Sequence, residues 1–118
     1  MLTRFLPTRV HGIVDYVTGS ILAASPWLLN YEEEGAETWL PVALGAGALG
    51  YSLLTNYELG VSKTIPMDTH LKLDMASGAL LMASPWLFGF AKRVWLPHVL
   101  FGAFEIMASL TTQKVAND

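Results

Sequence analysis

Residues 7–28 and 66–87 are two versions of one sequence set 59 positions apart, so the chain must fold into two similar halves. Ten of those 22 positions are identical: Pro7/Pro66, His11/His70, Asp15/Asp74, Gly19/Gly78, Leu22/Leu81, Ala24/Ala83, Ser25-Pro26-Trp27/Ser84-Pro85-Trp86 and Leu28/Leu87. Trp39-Leu40-Pro41 returns as Trp95-Leu96-Pro97. After a one-residue insertion, Gly45-Ala46 and Ser52-Leu53 meet Gly102-Ala103 and Ser109-Leu110. We therefore expect one domain over 1–118, with repeat one at about 7–60 and repeat two at about 66–114.

The distribution of charge points to lipid. Charged residues are 14% of the chain against about 25% in soluble domains, and 53% of residues are hydrophobic. Thr38 to Tyr57 and Met75 to Ala91 carry no charge at all. Val10 to Tyr31 holds only His11 and Asp15, and Val94 to Thr112 only His98 and Glu105. A bilayer core takes about 20 mainly apolar residues per helix. A soluble bundle would need a polar face on every helix, and Leu40 to Leu54 has none. The first apolar run has features of a secretory signal, but Asp15 interrupts it and its copy at His70 to Trp86 is internal, so the segment reads as a retained helix.

Helices are expected at about 10–29, 38–57, 69–90 and 94–112. Pro7 and Pro66 mark the starts of the first and third. Pro41 and Pro97 suit the first turn of the second and fourth, with Thr38 as an N-cap. The segment Tyr31 to Glu37, with Glu32, Glu33, Glu34 and Glu37, reads as an aqueous loop. Arg4, Arg9, Lys63, Lys72 and Lys114 gather on one side, against Lys92 and Arg93 on the other. That bias predicts both termini in the cytoplasm, in a bacterial cytoplasmic membrane, with the hairpins inserted in the same sense.

Sixteen positions separate each histidine from the tryptophan of its Ser-Pro-Trp, a helical rise of about 24 Å. The histidines thus fall near one interface, and Trp27, Trp86, Trp39 and Trp95 form an aromatic belt at the other. Proline inside a helix frees the carbonyl four residues back, at Leu22 or Leu81, and Ser25 or Ser84 can satisfy that turn. His11, Asp15, Gly19, Leu22 and Pro26 share one helix face, as do their copies, and should look into the bundle. Ser20/Ala24, Ala79/Ala83, Ala43/Gly47 and Ala46/Gly50 add small-residue pairs expected to point the same way.

Chemistry is suggested by His11, Asp15, His70, Asp74 and Glu105. A carboxylate four residues after an imidazole fixes its tautomer or binds its charged form. Two such pairs could ligate a metal or line a proton or ion path; the alternative is an interfacial ion pair with Asp15 or Asp74 meeting Arg9 or Lys72. Glu105 lies mid-helix, opposite Ala48 of the first half, and needs a proton or a partner such as His98. With no cysteine there are neither disulfides nor thiolate ligands. Nucleophile-elbow, HExxH and phosphate-loop patterns are missing, as is a basic patch for nucleic acid.

The doubled Ser-Pro-Trp, each copy preceded by His-xxx-Asp-xxx-Gly, resembles the SPW-repeat family of small integral membrane proteins. The resemblance implies a membrane location and paired helices, with no activity or cofactor attached. The expectation is an all-α, four-helix transmembrane bundle of two tandem hairpins, related by a pseudo-twofold axis along the membrane normal. Its partners would be the lipid bilayer and a second copy or another membrane protein, without nucleic acid. The function expected is non-enzymatic self-association or partner binding. A small transporter or channel, or a metal- or haem-binding redox subunit, are the alternatives; no cofactor is assigned.

Overall fold

In a computed structural model the chain is described over residues 4–115; the outermost parts of the expected 1–118 domain, 1–3 and 116–118, lie outside them. Four α-helices follow one another: α1 (Thr8–Leu28), α2 (Ala36–Leu53), α3 (Met67–Leu87) and α4 (Leu96–Thr111). There is no strand among the described residues, only isolated bridges pairing Leu6 with Thr112 and Thr55 with Ile65. α1 packs chiefly on α2 and α3 on α4, and lighter α2–α3 and α1–α4 contacts join the hairpins.

Each hairpin closes at a glycine crossing. A Cβ on Gly45 would stand 2.7 Å from the Gly19 carbonyl oxygen and the Ala23 nitrogen. One on Gly102 would stand 2.5 Å from the Gly78 carbonyl oxygen and 2.7 Å from the Met82 nitrogen. Only glycine lets backbones meet so closely.

Both Ser-Pro-Trp segments stay helical. The carbonyls of Leu22 and Leu81, left without an amide by Pro26 and Pro85, accept the Ser25 and Ser84 hydroxyls at 2.8 and 2.6 Å. Asn30 and Gly89, at φ +57° and +77°, then turn the chain out of α1 and α3. The Pro26 and Pro85 carbonyls collect the amides of Tyr31 and Glu32, and of Phe90 and Ala91.

Several expectations need correction. Among the described residues no helix is long and apolar enough to cross a membrane. Arg9, His11 and Asp15 dilute α1, and Asp68, Lys72 and Asp74 dilute α3. Glu37 and three glycines dilute α2, while α4 has only 16 residues. The helices also stop early: α2 ends at Leu53 because Thr55 pairs with Ile65, and α3 ends at Leu87 because Gly89 reverses the backbone. The N-cap of α2 is Gly35, not Thr38; the Thr38 hydroxyl instead accepts the Glu33 amide at 2.7 Å. That earlier start leaves Pro41 inside α2 rather than in its first turn. Ala43, Ala46, Gly47, Gly50, Ser20, Ala79 and Ala83 face outward, because the gap between helices is filled at the glycine crossings.

Candidate functional site

The repeated spacing on the inner face of each half places its imidazole and carboxylate at the end of the bundle where the chain enters α1 and α3. There His11, Asp15, His70 and Asp74 converge. His11 Nε2 lies 3.0 Å from Asp15 Oδ1 on its own helix and 2.8 Å from Asp74 Oδ2 on the other hairpin. His70 Nε2 lies 2.9 Å from Asp15 Oδ2 and 3.2 Å from Asp74 Oδ2. The rings meet edge to face with centroids 5.4 Å apart, and both histidines are buried. Neither aspartate pairs with Arg9 or Lys72, and Lys72 meets Asp68 instead.

Each imidazole is held from behind by a threonine just past a helix end. His11 Nδ1 lies 2.6 Å from the Thr112 hydroxyl and His70 Nδ1 2.7 Å from the Thr55 hydroxyl. Those hydroxyls lie 2.6 Å from the Ala108 carbonyl and 2.7 Å from the Tyr51 carbonyl. Two oxygens that close need a proton between them, so each threonine donates to its carbonyl and can only accept from the ring. Both Nδ1 atoms therefore carry hydrogen, and both Nε2 atoms turn toward the carboxylates.

The carboxylates have supports of their own. Tyr57 donates its hydroxyl to Asp15 Oδ2 at 2.8 Å, and Tyr51 donates to Asp74 Oδ1. Burial, with Asp15 beside it, raises the Tyr57 phenol above its usual range, so it remains a donor. Tyr51 and Tyr57 escape sequence reasoning, because their repeat-two counterparts are Ala108 and Lys114 and no repeated signal marks them.

Glu105 adjoins this centre without entering it. It accepts the Ser77 hydroxyl at 3.2 Å through Oε1, while Oε2 is buried with no hydrogen bond. Between α1 and α4, a cavity of about 20 Å³ touches His11, Asp15, Asp74, Glu105 and Ala48, room for about one water. A cavity of that size beside His11 excludes a porphyrin, so haem does not fit here.

His98, the partner expected for Glu105, lies at the opposite end of the bundle. Its Nε2–H donates to the Glu37 carbonyl at 2.9 Å. That carbonyl is the one Pro41 cannot serve, so a side chain of the second hairpin repairs a helix of the first. Glu37, expected in water, is buried; Arg93 binds it at 2.7 Å and the Gly35 amide at 3.1 Å. Two cross-hairpin locks thus hold the bundle, one at each end.

A family model described as the SPW repeat domain matches residues 9–112, and the chain belongs to that family. No curated protein and no solved structure matches the chain.

Proposed function

We propose that this SPW repeat protein is a non-enzymatic integral membrane bundle that binds a second copy or another membrane protein through its outer helix faces. The observation that supports this most is the inverted sorting of side chains. Ile13, Val17, Ile21, Leu80, Leu100, Phe104 and Met107 face outward, while His11, His70, Asp74, Ser25, Ser84, Thr55 and Thr112 are buried. In water that arrangement would expose a large contiguous apolar surface; in lipid it is the favourable one.

Single helices need not be apolar enough alone, because the charged groups most deeply placed, His11, Asp15, His70 and Asp74, are met from the opposite hairpin. At 1.5 Å per residue the helices measure about 24–32 Å, close to a hydrocarbon core of about 30 Å. Trp27, Trp39, Trp86 and Trp95 are all about half exposed at the end opposite His11 and His70, as an interfacial belt would be. The hairpins would stand side by side about a pseudo-twofold axis along the membrane normal. Both termini would lie in the bacterial cytoplasm, on the side of Arg9, Lys63, Lys72 and Lys114. The outward Ala43, Ala46, Gly47 and Gly50 of α2 would let a partner helix approach closely.

Quenching of tryptophan fluorescence by brominated lipids in reconstituted vesicles tests the bilayer placement. All four tryptophans are expected to be quenched best by shallow labels. A compact monomer that stays in solution without detergent overturns the reading. Native mass spectrometry in mild detergent tests association, and monomer alone counts against it. A conducting role has one observation in its favour, the cavity joining Asp74 to Glu105. Vesicle flux that persists in Glu105→Gln would remove it.

A further inference from the structure

We infer that His11, Asp15, His70 and Asp74 form a binding site for one divalent first-row transition-metal ion of the zinc or cobalt type. The inference goes beyond membrane residence and holds whether or not the bundle sits in lipid. Four ligand atoms, one from each residue, lie within 4.8 Å of one another. Two imidazoles that give up their Nε2 protons when the ion binds, with two carboxylates, make a borderline nitrogen and oxygen set whose two negative charges a divalent cation cancels.

The tautomers set by Thr112 and Thr55 are those a metal requires. With hydrogen fixed on Nδ1, each neutral ring presents the lone pair of Nε2 to the carboxylates. A lone pair facing a carboxylate oxygen at about 3 Å is repulsive unless a proton or a cation lies between them. His11 Nε2 and Asp74 Oδ2 are aligned well enough to share a proton. His70 Nε2 is not: it is fully buried, 2.9 and 3.2 Å from two carboxylates, and makes no aligned hydrogen bond with either. A hydrogen on that atom would meet both oxygens only at poor angles, whereas a cation between the four groups needs no such alignment.

The spacing agrees. Metal–ligand bonds of about 2.0–2.1 Å in a tetrahedron set neighbouring donors about 3.3 Å apart. Asp74 Oδ2 stands 2.8 and 3.2 Å from the two Nε2 atoms, while Asp15 meets His11 through Oδ1 at 3.0 Å and His70 through Oδ2 at 2.9 Å. Each nitrogen–oxygen pair is thus within a few tenths of an ångström of that spacing, and one Asp15 oxygen would turn to the ion. The outer shell is complete: Thr112 and Thr55 hold the rings, and Tyr57 and Tyr51 hold the carboxylates. Each half supplies one histidine and one aspartate, so the ion would clamp the two hairpins.

The test is titration of the EDTA-treated full chain, in detergent, with Co²⁺. The expected result is one ion per chain, with the intense visible d–d absorption of a four-coordinate site, displaced by Zn²⁺. Asp15→Asn and Asp74→Asn should abolish the band while circular dichroism stays helical. Thr55→Val and Thr112→Val leave the four ligands in place but remove the acceptor behind each ring, with its bond to the Tyr51 or Ala108 carbonyl, and should weaken binding about 10–100-fold. A helical wild-type protein that gives no such band shows the four groups to be bridged by protons alone, and overturns the site. Binding unchanged by the aspartate and threonine replacements does the same.

Discussion

Replacing Gly45 with alanine should damage the bundle, whereas the same change two residues on should not. The new Cβ at position 45 would meet two backbone atoms, the Gly19 oxygen and Ala23 nitrogen, at 2.7 Å, against an ordinary contact of 3.4 Å or more. Neither atom belongs to a rotatable side chain, so α1 and α2 must separate by roughly 0.7 Å and the packing along their whole crossing loosens. Overpacking of this kind costs about 1–3 kcal/mol, and backbone-on-backbone contact sits at the upper end, ~3 kcal/mol. Alanine returns about 1 kcal/mol in helix propensity, leaving Gly45→Ala about 2 kcal/mol less stable than the wild type. At Gly47 nothing lies within 4 Å of the added carbon, so only the propensity gain of about 1 kcal/mol remains. The difference between the two variants, ~3 kcal/mol, is free of the propensity contribution because both replace a mid-helix glycine by alanine. Reversible denaturant unfolding in detergent micelles, followed by circular dichroism, measures it. Stabilities within about 0.5 kcal/mol of each other would refute the close-crossing account. Gly102→Ala, at 2.5 Å from the Gly78 oxygen, should be at least as harmful as Gly45→Ala.

Two further outcomes follow from the proline sites. Ser84→Ala should cost about 1–3 kcal/mol by leaving the Leu81 carbonyl unpaired. Adding Pro85→Ala restores a backbone amide there, so the double variant should lose less than the sum, as read by a double-mutant cycle in the same unfolding assay. His98→Phe should likewise cost about 1–3 kcal/mol by orphaning the Glu37 carbonyl, and Pro41→Ala should rescue it; failure of rescue would place the role of His98 elsewhere.

The inward face His11, Asp15, Gly19, Leu22 and Pro26, with its copy, was legible because helical spacing alone decides which side chains share a face. The same is true of Ser25 and Ser84 answering Pro26 and Pro85, since donor and vacant carbonyl belong to one turn. The burial of Glu37 was not legible. In sequence it closes an acidic run, and only the arrival of Arg93 and the Gly35 amide makes burial tolerable. Nor were Tyr51 and Tyr57, which the repeat does not mark. The small residues of α2 were assigned to the wrong side for a similar reason: spacing groups Ala43, Ala46, Gly47 and Gly50, but it does not say which direction the group faces.

Local order was thus written in the chain itself: four helices, punctuated by prolines, each half carrying a histidine and an aspartate one turn apart. Only the three-dimensional packing decided that the pairs meet across the hairpins and not merely within them. His11 reaches Asp74, His70 reaches Asp15, and each ring is braced by a threonine from the opposite half. Periodicity fixes which residues share a helix face, but which faces touch is set by how closely two backbones can approach, and at Gly19/Gly45 and Gly78/Gly102 that depends on residues with no side chain to signal it.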